Sequence, residues 1–204
     1  MPDDAPTRVS ALGPLGAPAA DPGPAGAPVR LWETAHTAKI NLRGNVNDDG
    51  YMGAVAGVVG VAPPAAPNRQ AAAGNLGLVW LGPDEWLLTG PAGREPELGD
   101  ELRRATAGMD VSIVDVTEQR TVIEIAGARA RDVLAKLSAL DLHEREFGPG
   151  AAAQTRVGKA GVLILNRAAE GAEPAYALHV NRSFAAYLWR LLEDAAVEFR
   201  AGDG

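Results

Sequence analysis

Residues Asp115 to Thr155 read DVTEQRTVIEIAGARARDVLAKLSALDLHEREFGPGAAAQT. Val114 and Val116 close an apolar run, and Thr117, Glu118 and Gln119 break it. Val122, Ile123 and Ile125 then bring β-branched bulk, which suits a pleated, half-buried surface. Gly127 stands where a strand turns sharply into a helix. Ala130, Val133, Leu134 and Leu137 recur at helical spacing as one apolar stripe, with Arg129, Arg131, Asp132 and Lys136 off it. The stretch therefore predicts strand, Gly turn and helix, followed by a long loop back to another strand.

Toward the N-terminus, residues 1–30 are rich in Pro, Ala and Gly, and Pro14, Pro18, Pro22, Pro24 and Pro28 each remove an amide donor. Their few large apolar residues predict a mobile, disordered tail, with the folded part at 31–204. Residues 39–43 alternate as a half-buried strand, and Met52, Val55, Val58 and Val59 follow helical spacing. Residues 61–77 read as an extended, Pro-punctuated connection. Residues 78–81 and 85–88 flank Gly82-Pro83-Asp84 as a hairpin. A short helix near Leu98, Leu102 and Ala105 and a strand over 109–116 complete this half.

Toward the C-terminus, residues 154–157, 161–165 and 176–180 predict three strands. Ser183 reads as the N-cap of a last helix with Phe184, Tyr187, Leu188, Leu191, Leu192 and Ala195 as its apolar stripe. Mixed short strands, helices and hairpins predict an α+β fold rather than a doubly wound parallel sheet. Two similar runs of elements predict two ferredoxin-like (βαββα-type) halves sharing a core, at 31–110 and 111–204, with no residue-by-residue repeat.

Composition excludes several chemistries. A formal net charge of -7 argues against a general nucleic-acid binder, which needs a basic face. There is no cysteine, so thiolate metal sites, iron–sulfur clusters and cysteine nucleophiles are ruled out. No apolar run is long enough to span a bilayer, and Asp3 and Asp4 stand where a secretory signal needs positive charge, so a cytoplasmic, non-membrane location is expected. Gly150 through Gly158-Lys159 fails as a phosphate loop on spacing, with Ala160 where Ser or Thr is needed. Gly127 is followed by Ala128, so its turn lacks the glycines that cradle a pyrophosphate. His36, His143 and His179 show no ligand spacing and read as isolated surface or hydrogen-bonded side chains. No catalytic, cofactor-binding or metal-ligating set emerges.

What remains points to contact surfaces. Asp84 and Glu85 form an acidic turn bracketed by Trp80 and Trp86, which reads either as a partner anchor or as a hairpin whose tryptophans fill the core. Arginine greatly outnumbers lysine, and its planar fork suits interfaces. Trp80, Asp84, Glu85 and Trp86 are candidate interface residues on this ground; Arg120 and Gln154 join them only because they sit in stretches that carry a family resemblance, where they read as holding a loop or contacting a neighbour.

Four stretches carry a family resemblance in order: INLRGN at 40–45, LGPDEWLL at 81–88, QRTVIEIAGARARDVLAKLSALDLHEREFGPGAAAQT at 119–155 and HVNRSFAAYLWRLLEDA at 179–195. Together they resemble the gamma subunit of heterotetrameric sarcosine oxidase over about residues 31–199, the Pro-rich head excepted. More distantly, the strand–Gly–helix unit followed by PG and QT resembles the folate-binding domain of aminomethyltransferases. The first resemblance implies a small subunit of an oxidase that demethylates sarcosine to glycine, with hydrogen peroxide as product and the carbon passed to tetrahydrofolate. It implies alpha, beta and delta partner subunits that carry FAD, FMN, NAD, zinc and the tetrahydrofolate site, and a gamma-like chain that carries none. Three alternatives stand beside it: the equivalent subunit of an oxidoreductase for another N-methyl amino acid, a free-standing tetrahydrofolate-binding protein, and an unrelated binding module built on the tryptophan hairpin.

Overall fold

In the computed structural model, which describes residues 8–24 and 26–200, ten strands and four helices follow one another with few long loops. They are β1 (Arg30–Thr34), β2 (Ala38–Arg43), α1 (Asp49–Val59), β3 (Gln70–Ala73), β4 (Leu76–Gly82), β5 (Glu85–Gly90) and α2 (Glu95–Ala105). Then come β6 (Ser112–Asp115), β7 (Arg120–Ala126), α3 (Ala130–Ala135), β8 (Ala152–Val157), β9 (Ala160–Asn166), β10 (Ala175–Asn181) and α4 (Arg182–Arg200). One antiparallel sheet has the order β3-β4-β5-β2-β6 and the other β1-β7-β10-β9-β8.

Each sheet is a ferredoxin-like unit with one extra strand at its edge. In the first, β2, α1, β4, β5, α2 and β6 trace the βαββαβ path and β3 is added outside β4. In the second, β7, α3, β9, β10 and α4 do the same, β8 is added outside β9, and β1 fills the place that β6 takes in the first. The α+β class and the two related halves follow the expectation from the sequence. The division at 110/111 does not. β6 belongs to the first sheet and β1 to the second, so the chain enters the second half, builds the whole first half, and returns.

Alternation along the strands sets three apolar layers. Ile40, Leu42, Leu78, Trp86 and Leu88 face Tyr51, Val55, Leu98 and Leu102 of α1 and α2. Ile123, Ile125, Ile164, Tyr176 and Leu178 face Val133, Leu134, Leu188 and Leu192 of α3 and α4. The opposite strand faces meet through Val79, Leu87, Val122, Leu163, Leu165 and Ala177. The molecule is thus helix layer, sheet, sheet, helix layer. One pair of sheet edges is joined directly: Arg69 bridges Ala151, and the Gln70 amide donates to the Gly150 carbonyl at 2.9 Å.

A local signal explains the start of α1. Asp48 caps α1, accepting from the Gly50 and Tyr51 amides at 2.9 and 3.2 Å. Ser183 is not a cap, because α4 begins at Arg182 directly on the end of β10. β3 lies inside the stretch expected to be a bare connection. The Gln70 side chain holds it there, donating to the carbonyls of Ala151 and Asn166 at 3.0 and 2.7 Å.

The expectation of an unpacked tail to Arg30 is corrected from Arg8 onward; residues 1–7 and 25 lie outside the described residues. Leu12 is fully buried in the α3/α4 core with Val29 and Leu31. Glu33, itself buried on β1, accepts from the Leu12 amide at 3.3 Å and from the hydroxyls of Ser10 and Thr121. Arg30 pairs with Asp21 at 3.0 Å and with Glu173. Burial of a leucine side chain is worth about 1.5–3 kcal/mol, and hydrogen bonds to a charged group about 1.5–3 kcal/mol each, so a few anchors hold a segment that composition alone leaves loose.

Candidate functional site

Strand parity decides where each candidate interface residue goes. Trp80 and Trp86 oppose each other across the β4–β5 hairpin, and both side chains belong to the helix-facing core of the first sheet. Trp86 is fully buried, its ring N–H donating to the Pro64 carbonyl at 2.9 Å, and Trp80 is half-buried. The partner-anchor reading is therefore corrected for Trp86, which period-2 alternation turns into the core, while Trp80 on the same face keeps part of its surface exposed. Asp84 is exposed at the turn. Glu85, one residue from Trp86, points to the opposite face.

That face brings together three of the residues. Glu85, Arg120 and Gln154 line one cavity of about 290 Å³ with Asn41, Leu87, Val114, Val116 and Gln119. Glu85 accepts from Asn41 at 2.7 Å and from Arg43 at 2.8 Å. Burial raises its proton affinity, but these two donors outweigh the burial and hold its carboxyl below the ordinary range. Gln154 donates across the seam to the Leu81 carbonyl at 2.7 Å, tying β8 to β4. Arg120 also lines a second groove of about 400 Å³, with Gln154, Thr155, Arg156, Leu163 and Asn181. Among the described residues it forms no ion pair, and burial lowers the proton affinity of its guanidinium with only Glu85 acting against this.

The layer between the sheets holds three titratable groups that sequence spacing does not single out as a set: Lys39 and His179, both buried near Arg120, and the half-buried Glu124 farther along β7. Lys39 is fully buried, its ammonium donating to the Thr37 carbonyl at 2.7 Å, and burial pushes it down to about 8. His179 lies on β10; burial, reinforced by Lys39, Arg120 and Arg167, pushes it down to about 3. It is neither a surface histidine nor a fully hydrogen-bonded one, since its Nδ1 has no partner among the described residues. Glu124 lies opposite Trp32 and Ala177 in the register of β7, and burial pushes it up to about 7 against the pull of Arg167. No group of three metal-ligating side chains occurs among the described residues.

The opposed shifts give a pH prediction. Folded Glu124 holds its proton more tightly than the unfolded side chain, whose ordinary value is 4.5, so its stabilisation is full below 4.5 and lost as pH rises through about 7. His179 acts the other way: its stabilisation is full above 6.5 and lost as pH falls toward 3. Glu124→Gln is therefore expected to be more stable than the parent at pH 8, with the advantage shrinking by up to about 1.4 kcal/mol per pH unit on acidification. Urea midpoints at pH 5, 6.5 and 8 measure this. A pH-independent difference would mean that Glu124 ionises as a solvated carboxylate.

Two sheets meeting over a polar seam constitute a fold with identifiable relatives. Residues 43–198 match the family model described as "Sarcosine oxidase, gamma subunit family". Sarcosine oxidase subunit gamma of Corynebacterium sp. (strain U-96) is 33% identical over 176 residues, spanning 86% of this chain and 82% of that one. A chain in the solved structure of the heterotetrameric sarcosine oxidase from Corynebacterium sp. U-96, in complex with pyrrole 2-carboxylate, superposes with a TM-score of 0.83 at 32% identity, covering 97% of this chain and 98% of that chain. Aminomethyltransferase T of the glycine cleavage system from Bartonella henselae shares the fold, with a TM-score of 0.63 at 17% identity over 82% of this chain and 46% of that one. The model match covers most of the chain, including the β4–β5 hairpin and the Arg120–Gln154 seam, and the superposition extends over nearly all of it; on both, this chain belongs to the sarcosine oxidase gamma subunit family.

Proposed function

We propose that the chain is the gamma subunit of a heterotetrameric sarcosine oxidase, working in the cytoplasm with alpha, beta and delta subunits. The observation that carries this is the superposition on one chain of such a heterotetramer over nearly the full length of both. The reaction of the assembly is sarcosine, oxygen and tetrahydrofolate to glycine, hydrogen peroxide and methylenetetrahydrofolate; without tetrahydrofolate, water takes up the carbon as formaldehyde.

FAD, FMN, NAD, zinc and tetrahydrofolate belong to the partner subunits in this reading. The residues of this chain do not fit a dinucleotide at the Gly127 turn, where β7 passes to α3. At Gly127 an added Cβ would lie 2.3 Å from the Pro28 carbonyl oxygen, so the N-terminal segment already fills the space a pyrophosphate needs. The gamma chain then serves as a packing and assembly subunit. Its two sheet units, one of them completed by β1, act as a single body, and Asp84, Glu85, Arg120 and Gln154 lie on its contact surface. No helix among the described residues is long and apolar enough to cross a membrane, in keeping with an enzyme complex that works in water.

Affinity purification of the tagged chain co-expressed with its partner subunits tests the reading. The expected product is a yellow complex of several chains that takes up oxygen with sarcosine and loses that activity when this chain is omitted. Uptake with a different N-methyl amino acid would move the substrate and keep the subunit role. A colourless single chain that binds tetrahydrofolate would replace the proposal with a free-standing folate protein.

A further inference from the structure

Arg120 opens β7 at the point where the two polar grooves meet, so its guanidinium faces both. Of the other described arginines, Arg8, Arg30, Arg43, Arg94, Arg103, Arg129 and Arg182 all lie within 4 Å of a carboxylate, and those without one are exposed, apart from Arg131, which donates to the Tyr176 hydroxyl at 3.4 Å. Arg120 is half-buried and has no such carboxylate among the described residues. The carboxylate nearest in effect, Glu85, is engaged by Asn41 and Arg43. Behind Arg120 lie buried Lys39 and the bare Nδ1 of His179, and Arg156 stands at the rim of the second groove. A chain of net charge -7 thus carries a cationic seam in which the half-buried fork of Arg120 has no acceptor among the described residues. A desolvated guanidinium without a partner is costly, and the acceptor that matches its geometry is a carboxylate held by two parallel N–H bonds.

The surroundings select the source of that carboxylate. Both grooves are open surface features, which would leave a small acid largely hydrated. Val114 on edge strand β6 is 48% exposed and, with Val116, forms an apolar wall beside the guanidinium. Gln119, Gln154 and Asn181 offer polar groups around it. A charged anchor beside an apolar step and a polar rim is the pattern of a protein interface rather than of an enclosed ligand site. We infer that the Arg120 groove receives an aspartate or glutamate side chain, flanked by an apolar residue, from a neighbouring subunit of the oxidase. The inference rests on the subunit role proposed above and names its anchor.

The test uses the co-expressed complex. Arg120→Gln is expected to weaken retention of this chain at least about thirtyfold, the lower end for removing one partner of a desolvated, hydrogen-bonded charge pair. The loss is read by native mass spectrometry across a salt series. Arg120→Lys should recover only part, since an ammonium supplies a point charge without the fork. Circular dichroism melting of the Arg120→Gln chain should match the parent, which separates lost docking from lost folding. A photocrosslinker at position 119 should capture a partner peptide containing Asp or Glu, and reversing that residue to Arg should rescue Arg120→Glu. Failure of the parent to assemble would sink the subunit role itself. Assembly of the parent and Arg120→Gln with the same salt profile would overturn the Arg120 assignment alone. So would an acetate-dependent stabilisation of the intact complex that Arg120→Gln abolishes, because the acid would then be a small molecule.

Discussion

Trp86→Ala is expected to destabilise the chain by about 3–5 kcal/mol, the range for deleting a buried indole, and to leave little folded protein at physiological temperature. The side chain has no exposed surface. It fills the space between β5 and α1, where its ring centroid lies 5.9 Å from that of Tyr51. Its N–H satisfies the Pro64 carbonyl in the α1–β3 connection, so truncation also leaves a backbone acceptor without its donor. The connection that this bond pins contains Pro63, which is buried as well. Trp86→Phe keeps most of the volume and loses the hydrogen bond, so it should lie between the two. Urea unfolding of parent, Phe and Ala forms gives the order. An unchanged midpoint in the Ala form together with weakened assembly would restore the partner-anchor role of this tryptophan.

The hairpin was legible because its signals are local. Gly82-Pro83-Asp84 supplies the turn, and the flanking apolar runs supply the strands. Local signals could not say which of two adjacent residues faces a helix and which faces the seam. That depends on which side of the sheet α1 and α2 cover, and so the tryptophans and Glu85 were grouped together though the sheet separates them. β1 was missed for a related reason. Its sequence RLWET follows a Pro-rich run and lacks alternation, and its partner β7 lies about ninety residues on. β3, with sequence QAAA, has almost no strand propensity and exists through pairing with Leu76–Val79 and the Gln70 side chain.

The seam follows the same rule. Arg120 and Gln154 are singled out by family resemblance, and the fold brings them from β7 and β8, with two strands between them in the second sheet, to the lining of the same two grooves. Lys39, Glu124 and His179 come from three strands that no spacing connects, and their shifted protonation follows from burial that only the stacked sheets create. The N-terminal anchors were hidden by composition. Averaging over thirty residues dilutes Leu12 and Val29, and these two, together with Glu33 just beyond the window, decide whether the segment is ordered.

Gly127→Ala is expected to cost about 2–6 kcal/mol, combining a strained left-handed backbone with overpacking against main chain. Gly127 has φ 123°, which L side chains rarely adopt. An added Cβ would sit 2.3 Å from the Pro28 oxygen and 2.8 Å from the Ala27 oxygen, and neither can swing aside as a flexible side chain would. The Pro28 carbonyl also accepts from the Arg129 amide at 2.9 Å, so pushing it away loosens the entry to α3. The same displacement pulls on Val29, Arg30 and β1, the strand that completes the second sheet. Gly171→Ala is the control: its φ is also positive, at 70°, but no atom lies within 4 Å of the new Cβ. It should cost about 1 kcal/mol. Two measurements check the difference, thermal unfolding and limited proteolysis of the segment around Leu12. If Gly127→Ala loses stability and the segment becomes cleavable while the body stays folded, the close approach to Pro28 is what clamps the N-terminal segment to the second half. Equal, small losses in both variants would show that the segment yields freely, and the burial of Leu12 would then contribute little to the stability of the whole.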